Sequence, residues 1–395
     1  MKRCSELLEA APNGWVMEYY VGKDYSLGGI TLLCKFDGQR VTMASQIAGA
    51  DETVSSLYSV KSEQATMLSF DTYNYLVHYF GQPQGSMADD PNGTLGGDYE
   101  FVISDATADR IELKGKKYGN RIVMKAFSAD QTWKQYLTRI KKVEDDAFFY
   151  EYDLRMDGLY TGQMLRSNYT FIVTYYDEVG KVHQKTVPFM FTTDGMRFHE
   201  PVTIDGQTMQ NFVWKNEEIS FVCTDEGATE VKLAGVYTAG YQSYDYYPGT
   251  YQMDFYRLND ATNQMEVASQ EIQLVKDEDG KSYWLKGLEY DILVTYDKPR
   301  GGLSILPQFL KKVQGGYVYL AMWDLMNDYV LRSSAIGLIS YPTTDGIYLV
   351  DNGVWMGEIS GFIFGVYDSQ DEDASFIGYT DAVAAIRLIK KTIEE

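Results

Sequence analysis

Ile30 to Ser45 reads ITLLCKFDGQRVTMAS, two apolar runs joined through Asp37-Gly38-Gln39. Asp-Gly between two such runs is the strongest short-range hairpin signal, because glycine takes the positive φ of a tight reversal without steric cost. The preceding run, Trp15-Val16-Met17-Glu18-Tyr19-Tyr20, also alternates and is set off by Gly28-Gly29. Successive side chains of an extended chain point to opposite faces, so this pattern predicts neighbouring antiparallel strands. Residues 1–127 therefore read as an antiparallel meander.

The rest of the chain has the same texture. Of 395 residues, 33 are Tyr and only 9 are Pro, and aromatics make up 14%. Aromatic and β-branched residues favour the pleated, half-buried surface of a strand. Helical patterning is confined to two places. Ser5 to Ala11 predicts a short helix stopped by Pro12, and Ser128 to Asp146 spaces Trp133, Leu137 and Ile140 as one helical face. Ser128 with Gln131 three residues on predicts a capping box for that second helix, which is expected to link two domains.

An internal repeat supports that boundary. Tyr99 to Gly115 (YEFVISDATADRIELKG) lies without gaps on Ile219 to Gly235 (ISFVCTDEGATEVKLAG), with Phe101, Val102, Asp105, Ala108, Leu113 and Gly115 recurring. Ile30 to Asp37 resembles Tyr169 to Asp177 after one insertion, and Tyr290 to Asp297 has the same flavour. A chain this long exceeds what one core supports. The expectation is a mainly β protein of two or three antiparallel domains, barrel- or sandwich-like, with a short N-terminal helix and a linking helix. The divisions are 1–127, the helix at 128–146, a related β unit at 147–240, and a Tyr-rich domain at 241–395.

Charge narrows the partners. With 35 Lys and Arg against 56 Asp and Glu, the net charge is −21, a field that repels phosphate backbones, so nucleic acid is not expected. No apolar run approaches the length of a membrane span. The opening MKRCSELLEAAPNGW has no apolar core of an export signal, which predicts either a cytoplasmic protein or a start codon called late. Cys4, Cys34 and Cys223 lack metal or redox spacing; a Cys34–Cys223 bond requires that two domains touch.

Catalytic signatures fail for definable reasons. His78, His183 and His199 are scattered, Gly280-Lys281-Ser282 lacks the early glycine of a phosphate loop, and no nucleophile elbow occurs. No cofactor is expected. A carboxylate-pair hydrolase stays open as an alternative, because sequence spacing does not reveal which acids face each other. Two acidic loops are weak calcium candidates: Asp89, Asp90, Asn92 and Asp98, and Asp368, Asp371, Glu372 and Asp373. The aromatic excess is the positive lead. Tyr241, Tyr244, Tyr246, Tyr247 and Tyr251, with Trp323 and Trp355, are candidate stacking platforms for sugar rings, each worth about 2.5 kcal/mol per ~100 Å² covered before association costs.

The opening helix, Gly14-Trp15 and a meander are also how lipocalin-like barrels begin, which makes a small apolar ligand in a calycin-like barrel the second hypothesis. A closer resemblance is carried by Ala10-Ala11-Pro12-Asn13-Gly14-Trp15, Glu18-Tyr19-Tyr20, Lys35-Phe36-Asp37, Arg40 to Ser45, Ser69 to Asn74, Gly97 to Phe101 and Leu113 to Lys117. Gly301-Gly302-Leu303, Pro307-Gln308, Tyr317 to Trp323 and Asp351-Asn352-Gly353 continue it. In these the chain resembles an uncharacterised family of Bacteroidetes envelope lipoproteins, domain of unknown function 4302. The resemblance implies an exported, lipid-anchored protein associated with a TonB-dependent nutrient-uptake complex. Together with the aromatic lead, the expectation is a non-catalytic accessory protein of the cell envelope, outer-membrane-associated or periplasmic, that binds a polysaccharide or oligosaccharide or docks on the uptake complex. It supplies no catalytic residues.

Overall fold

A computed structural model of the protein describes residues 2–62, 65–83, 94–177, 179–228, 230–259, 261–262 and 264–391. These residues divide into two compact units, Met1–Val236 and Tyr237–Glu395.

The first unit contains two closed antiparallel barrels. One is made of β1 (Trp15–Val21), β2 (Gly28–Asp37), β3 (Arg40–Ser45), β4 (Val54–Ser62), β5 (Thr66–Phe70), β6 (Glu100–Ala106), β7 (Arg110–Gly115) and β8 (Arg121–Ala126), closed by β1 against β8. The Asp-Gly hairpin falls where the alternation places it, with Asp37 opposite Arg40. Trp15, Met17, Tyr19 and Val21 point inward with Ile30, Leu32, Cys34 and Phe36, so the interior is occupied by side chains. Tyr19 brings its hydroxyl inside, where it donates to the Asp98 carbonyl (3.0 Å) and accepts from the Asp98 amide (2.6 Å). Helix α1 (Lys2–Ala10) buries Leu8, whose carbonyl accepts from the Trp15 indole at 2.9 Å.

The second barrel comprises β9 (Glu151–Met156), β10 (Leu159–Ser167), β11 (Thr170–Tyr176), β12 (Val182–Phe191), β13 (Gly195–Ile204), β14 (Gln207–Lys215), β15 (Ser220–Cys223) and β16 (Val231–Val236), closed by β16 against β9. Its interior is dense in rings, including Tyr152, Phe171, Phe189, Phe198 and Phe221. The repeated segments land on β6–β7 and on β15–β16, and on β2 and β11, one strand further along the second ring each time. Registers differ as well, since Phe101 faces Gly115 whereas Phe221 faces Leu233.

Helix α2 is one turn (Tyr75–His78), and α3 (Trp133–Asp146) runs between β8 and β9 inside the first unit. Its cap lies one turn later than the sequence predicts: Thr132 and Gln135 form the capping box, while the Ser128 hydroxyl turns to Asp130. Leu137 packs on the outside of the first barrel with Val16, Leu33 and Phe127, and Ile140 and Val143 join the core of the second. The barrels also meet at Gly28, where φ is +72° and a Cβ would stand 2.0 Å from the Tyr169 carbonyl oxygen. Only glycine fits that approach. The cysteines are free; Cys34 and Cys223 sit in the cores of different barrels and form no bond with each other.

In the second unit, β17 (Gly249–Asn259), β18 (Gln264–Lys276), β19 (Ser282–Lys286), β20 (Ile292–Asp297), β21 (Gly302–Ile305), β25 (Leu338–Thr343), β26 (Gly346–Asp351) and β28 (Phe376–Lys390) pair in sequence, and β28 closes the ring on β17. The long β28 also carries a side sheet on its first half, through β27 (Gly361–Tyr367), β23 (Gly316–Asp324), β22 (Gln308–Val313) and β24 (Tyr329–Leu331). The neighbour along that edge changes from β27 to β26 beyond Ala385, which has φ +51°. The fold is thus mainly β, with three antiparallel barrel-like sheets among the described residues.

Candidate functional site

The side sheet of the second unit builds a groove. On β23, Val318, Leu320 and Met322 turn into the barrel core, which leaves Tyr319 on the opposite face. Tyr319 lies opposite Phe309 of β22, with ring centroids 5.4 Å apart, and edge-on to Tyr367 of β27 at 5.7 Å. Phe376, opening β28, continues the row 5.5 Å from Tyr367. Edge-to-face contacts of this spacing are favourable because the positive ring edge meets the negative face. Arg332 lies over Tyr319 and Tyr367, 4.8 and 4.2 Å from their centroids, and donates to the carbonyls of Asp371 and Glu372.

The resulting groove encloses about 760 Å³. Its ends, Phe309 and Phe376, remain 45% and 43% exposed, so ring surface is open to a ligand. Ser333, Ser334, Gln370 and Glu372 form a polar rim, and the Glu372 carboxylate has no ion pair among the described residues. The Tyr367 hydroxyl is buried without a hydrogen-bond partner; burial holds its pKa above the usual phenol value, against the lowering effect of Arg332. The groove thus sets apolar rings beside serine hydroxyls and a carboxylate. The sequence reading missed Phe309, Tyr319, Arg332, Tyr367 and Phe376 as site residues. The available signal was Phe309 on the outward phase of a strand whose following residues include Lys311 and Lys312.

The seven predicted aromatic platforms lie elsewhere. Tyr247 and Tyr251 are fully buried, which corrects their reading as surface platforms. The loop before β17 plugs one end of the third barrel; its Tyr247 and Tyr244 hydroxyls are spent on the Gly301 (2.9 Å) and Ser282 (2.8 Å) carbonyls, and that of Tyr251, in β17, on the Tyr247 carbonyl (2.7 Å). Tyr244 also stacks on Tyr283 at 4.7 Å. Tyr241 is half-buried and accepts from the Tyr296 hydroxyl. Tyr246 alone of the five is exposed, under the Lys390 ammonium. Trp323 is buried beside Ile363 and Ala384, a second correction, and Trp355 donates to Asp324 at 2.9 Å while packing on Tyr329.

The calcium candidates do not converge. Asp368 accepts from the Ser375 amide, Asp371 from the Ser369 hydroxyl, and Asp373 is exposed. Asp98 is buried and accepts the amides of Lys117, Tyr118 and Asn120, so it organises a turn. Asp89, Asp90 and Asn92 lie outside the described residues. No group of three or more His, Cys, Asp or Glu suited to a metal occurs among the described residues, and no helix among them is long and apolar enough to cross a membrane.

The chain matches the model of one domain of unknown function, DUF4302, over residues 1–216, and that of a second, DUF4987, over residues 224–363. The break between them falls around β15, inside the second barrel, so neither match ends at a structural boundary. No curated protein matches the chain. Among solved structures, a protein of unknown function from the DUF3598 family of Nostoc punctiforme PCC 73102 is similar at 8% identity, over 62% of this chain and 98% of that one, with a TM-score of 0.16. Intact Ap-TbpB, with its N and C lobes, is similar at 11% identity, over 92% of this chain and 67% of that one, also with a TM-score of 0.16. Likenesses that slight bear on neither fold nor function. The first family match covers more than half of the sequence, and the chain belongs to the DUF4302 family.

Proposed function

We propose that the protein is a non-catalytic accessory protein of the cell envelope that captures a glycan polymer in the aromatic groove of its second unit. The observation that carries this reading is the row Phe309, Tyr319, Tyr367 and Phe376, with open ring surface at both ends and a polar rim beside it. Two exposed rings that each lose roughly 100 Å² of apolar surface gain about 5 kcal/mol together. Against an association cost of about 4 kcal/mol or more, at most about 1 kcal/mol is left, so a single contact is weaker than millimolar. Weak sites suit a polymer, because repeated units raise the effective concentration. The side-chain-filled interiors of the first two barrels favour capture on outer surfaces over carriage of an enclosed apolar ligand. The family resemblance supports placement at the outer membrane beside a nutrient-uptake complex.

The test is titration of the purified chain with a panel of neutral polysaccharides by calorimetry and affinity electrophoresis, alongside Phe309→Ala and Phe376→Ala. The expected result is weak binding of at least one polymer that each variant reduces by about tenfold, the ~1.4 kcal/mol equivalent of much of one ring contact. Binding that both variants leave unchanged, or no binding across the panel, defeats the proposal.

A further inference from the structure

The outer faces of β1, β7 and β8 and the facing strand β13 enclose a second cleft, of about 520 Å³, between the two barrels of the first unit. Its charge opposes that of the molecule. In a chain of net charge −21, five cations line it against two carboxylates. The pairings account for three of the five. Glu18 is bound by Arg197 (2.6 Å) and Lys125 (2.7 Å), and Arg110 pairs with Glu112 (3.0 Å). Lys114 and Arg121 have no ion pair or side-chain hydrogen bond among the described residues.

These two are direct cross-strand partners on β7 and β8. Like charges placed opposite each other on one face of a sheet repel and destabilise it. Tyr20 is 5% exposed, and its buried hydroxyl sits beside the charges of Arg197 and Glu18. One further polar group in the cleft is also unspent. The ring nitrogens of His199 have no hydrogen bond among the described residues, and its ring packs against Tyr20 and Tyr25 at 4.2 and 4.3 Å. Burial first, and then the charges of Arg121 and Arg197, hold its pKa below the ordinary value despite Glu200, so at neutral pH it is uncharged and can both donate and accept.

We infer that this cleft binds an oxyanion, a carboxylate or sulfate carried on a small hydroxylated molecule, with Lys114 and Arg121 holding the charge and His199 taking a hydroxyl group. The anion relieves the repulsion between the two strand partners and occupies the polar groups that the fold leaves unpaired. The guanidinium fork of Arg121 suits the planar geometry of a carboxylate. The site is independent of the aromatic groove, which lies in the other unit.

The experiment uses the full chain with glucuronate, inorganic sulfate and glucose as probes, followed by calorimetry and by the ligand-induced rise in melting temperature. Glucuronate or sulfate is expected to bind, more weakly as salt is raised, and the tighter of the two identifies the source of the anion. The double variant Lys114→Ser, Arg121→Ser should melt no lower than the parent without ligand, since it removes a repulsion, and should lose at least tenfold in anion affinity. Phe309→Ala should leave anion binding unchanged, which separates this site from the groove. Failure of both anions to bind, equal binding of glucose, or full affinity in the double variant overturns the assignment.

Discussion

Replacing Tyr247 with Phe separates a structural tyrosine plug from a sugar platform. The side chain is fully buried, and its hydroxyl donates to the Gly301 carbonyl at 2.9 Å. That carbonyl also accepts from the Gln242 amide at 3.2 Å, so losing the hydroxyl does not orphan it. The cost is therefore that of one ordinary hydrogen bond, about 1 kcal/mol, or roughly 2–4 °C in melting temperature for a unit of this size. Tyr247→Ala also removes the ring from its contacts with Tyr283 and Tyr296, at 6.1 and 6.3 Å. An aromatic-sized cavity costs about 3–5 kcal/mol, which lowers the transition by roughly 10 °C. Near-ultraviolet dichroism during heating reads both changes, because the plug concentrates tyrosines in asymmetric packing. Glycan titration of the Phe variant should match the parent. A Phe variant with an unchanged melting temperature but abolished glycan binding would refute the reasoning, since the hydroxyl would then face ligand rather than backbone.

Two other perturbations test the first unit. Burial works to raise the Glu18 pKa, but Arg197 and Lys125 outweigh it and hold the carboxyl below its ordinary 4.5. The stability this contributes is complete above the unfolded-state value and is lost as pH falls through the folded one. Glu18→Gln should cost roughly 2–3 kcal/mol at neutral pH by stranding two cations, and its acid-denaturation curve should lose part of the parent's pH dependence below about pH 4.5. An unchanged melting temperature and acid curve would remove Glu18 from the contact between the barrels. For the cysteines, burial pushes the Cys223 thiol up to about 11 and the Cys34 thiol well above its usual value. Alkylation of the native protein should label Cys4 alone, with all three thiols reacting in denaturant; rapid native labelling of Cys34 would contradict the closed first barrel.

Local pattern made part of this legible. Alternation around Asp37-Gly38 defined β2 and β3, since both inward and outward sets were present in one short run. The linking helix was readable from Leu137 and Ile140, but its start was not, because Ser128 and Thr132 each precede a Gln by three residues. The Tyr-rich loop was visible as composition only. Gly240 to Pro248 is not a strand, so no period there predicts which rings turn inward. Both clefts were illegible for a different reason. Glu18, Lys114, Arg121 and His199 come together only after a barrel closes and a second one docks on it, and Phe309 meets Phe376 only through β23 and β27. Pairings over such separations depend on the whole fold rather than on neighbours in the chain.

The strand shared by the third ring and its side sheet sets the order in which that unit matures during synthesis. Until residue 390 has left the ribosomal tunnel, β17, β26 and β27 each lack an edge partner. Exposed edges recruit other strands, including those of neighbouring nascent chains. Truncations within the 15 residues of that strand should therefore show up first as insoluble product, and a holdase chaperone supplied during translation should recover the full-length chain but not the shortened one.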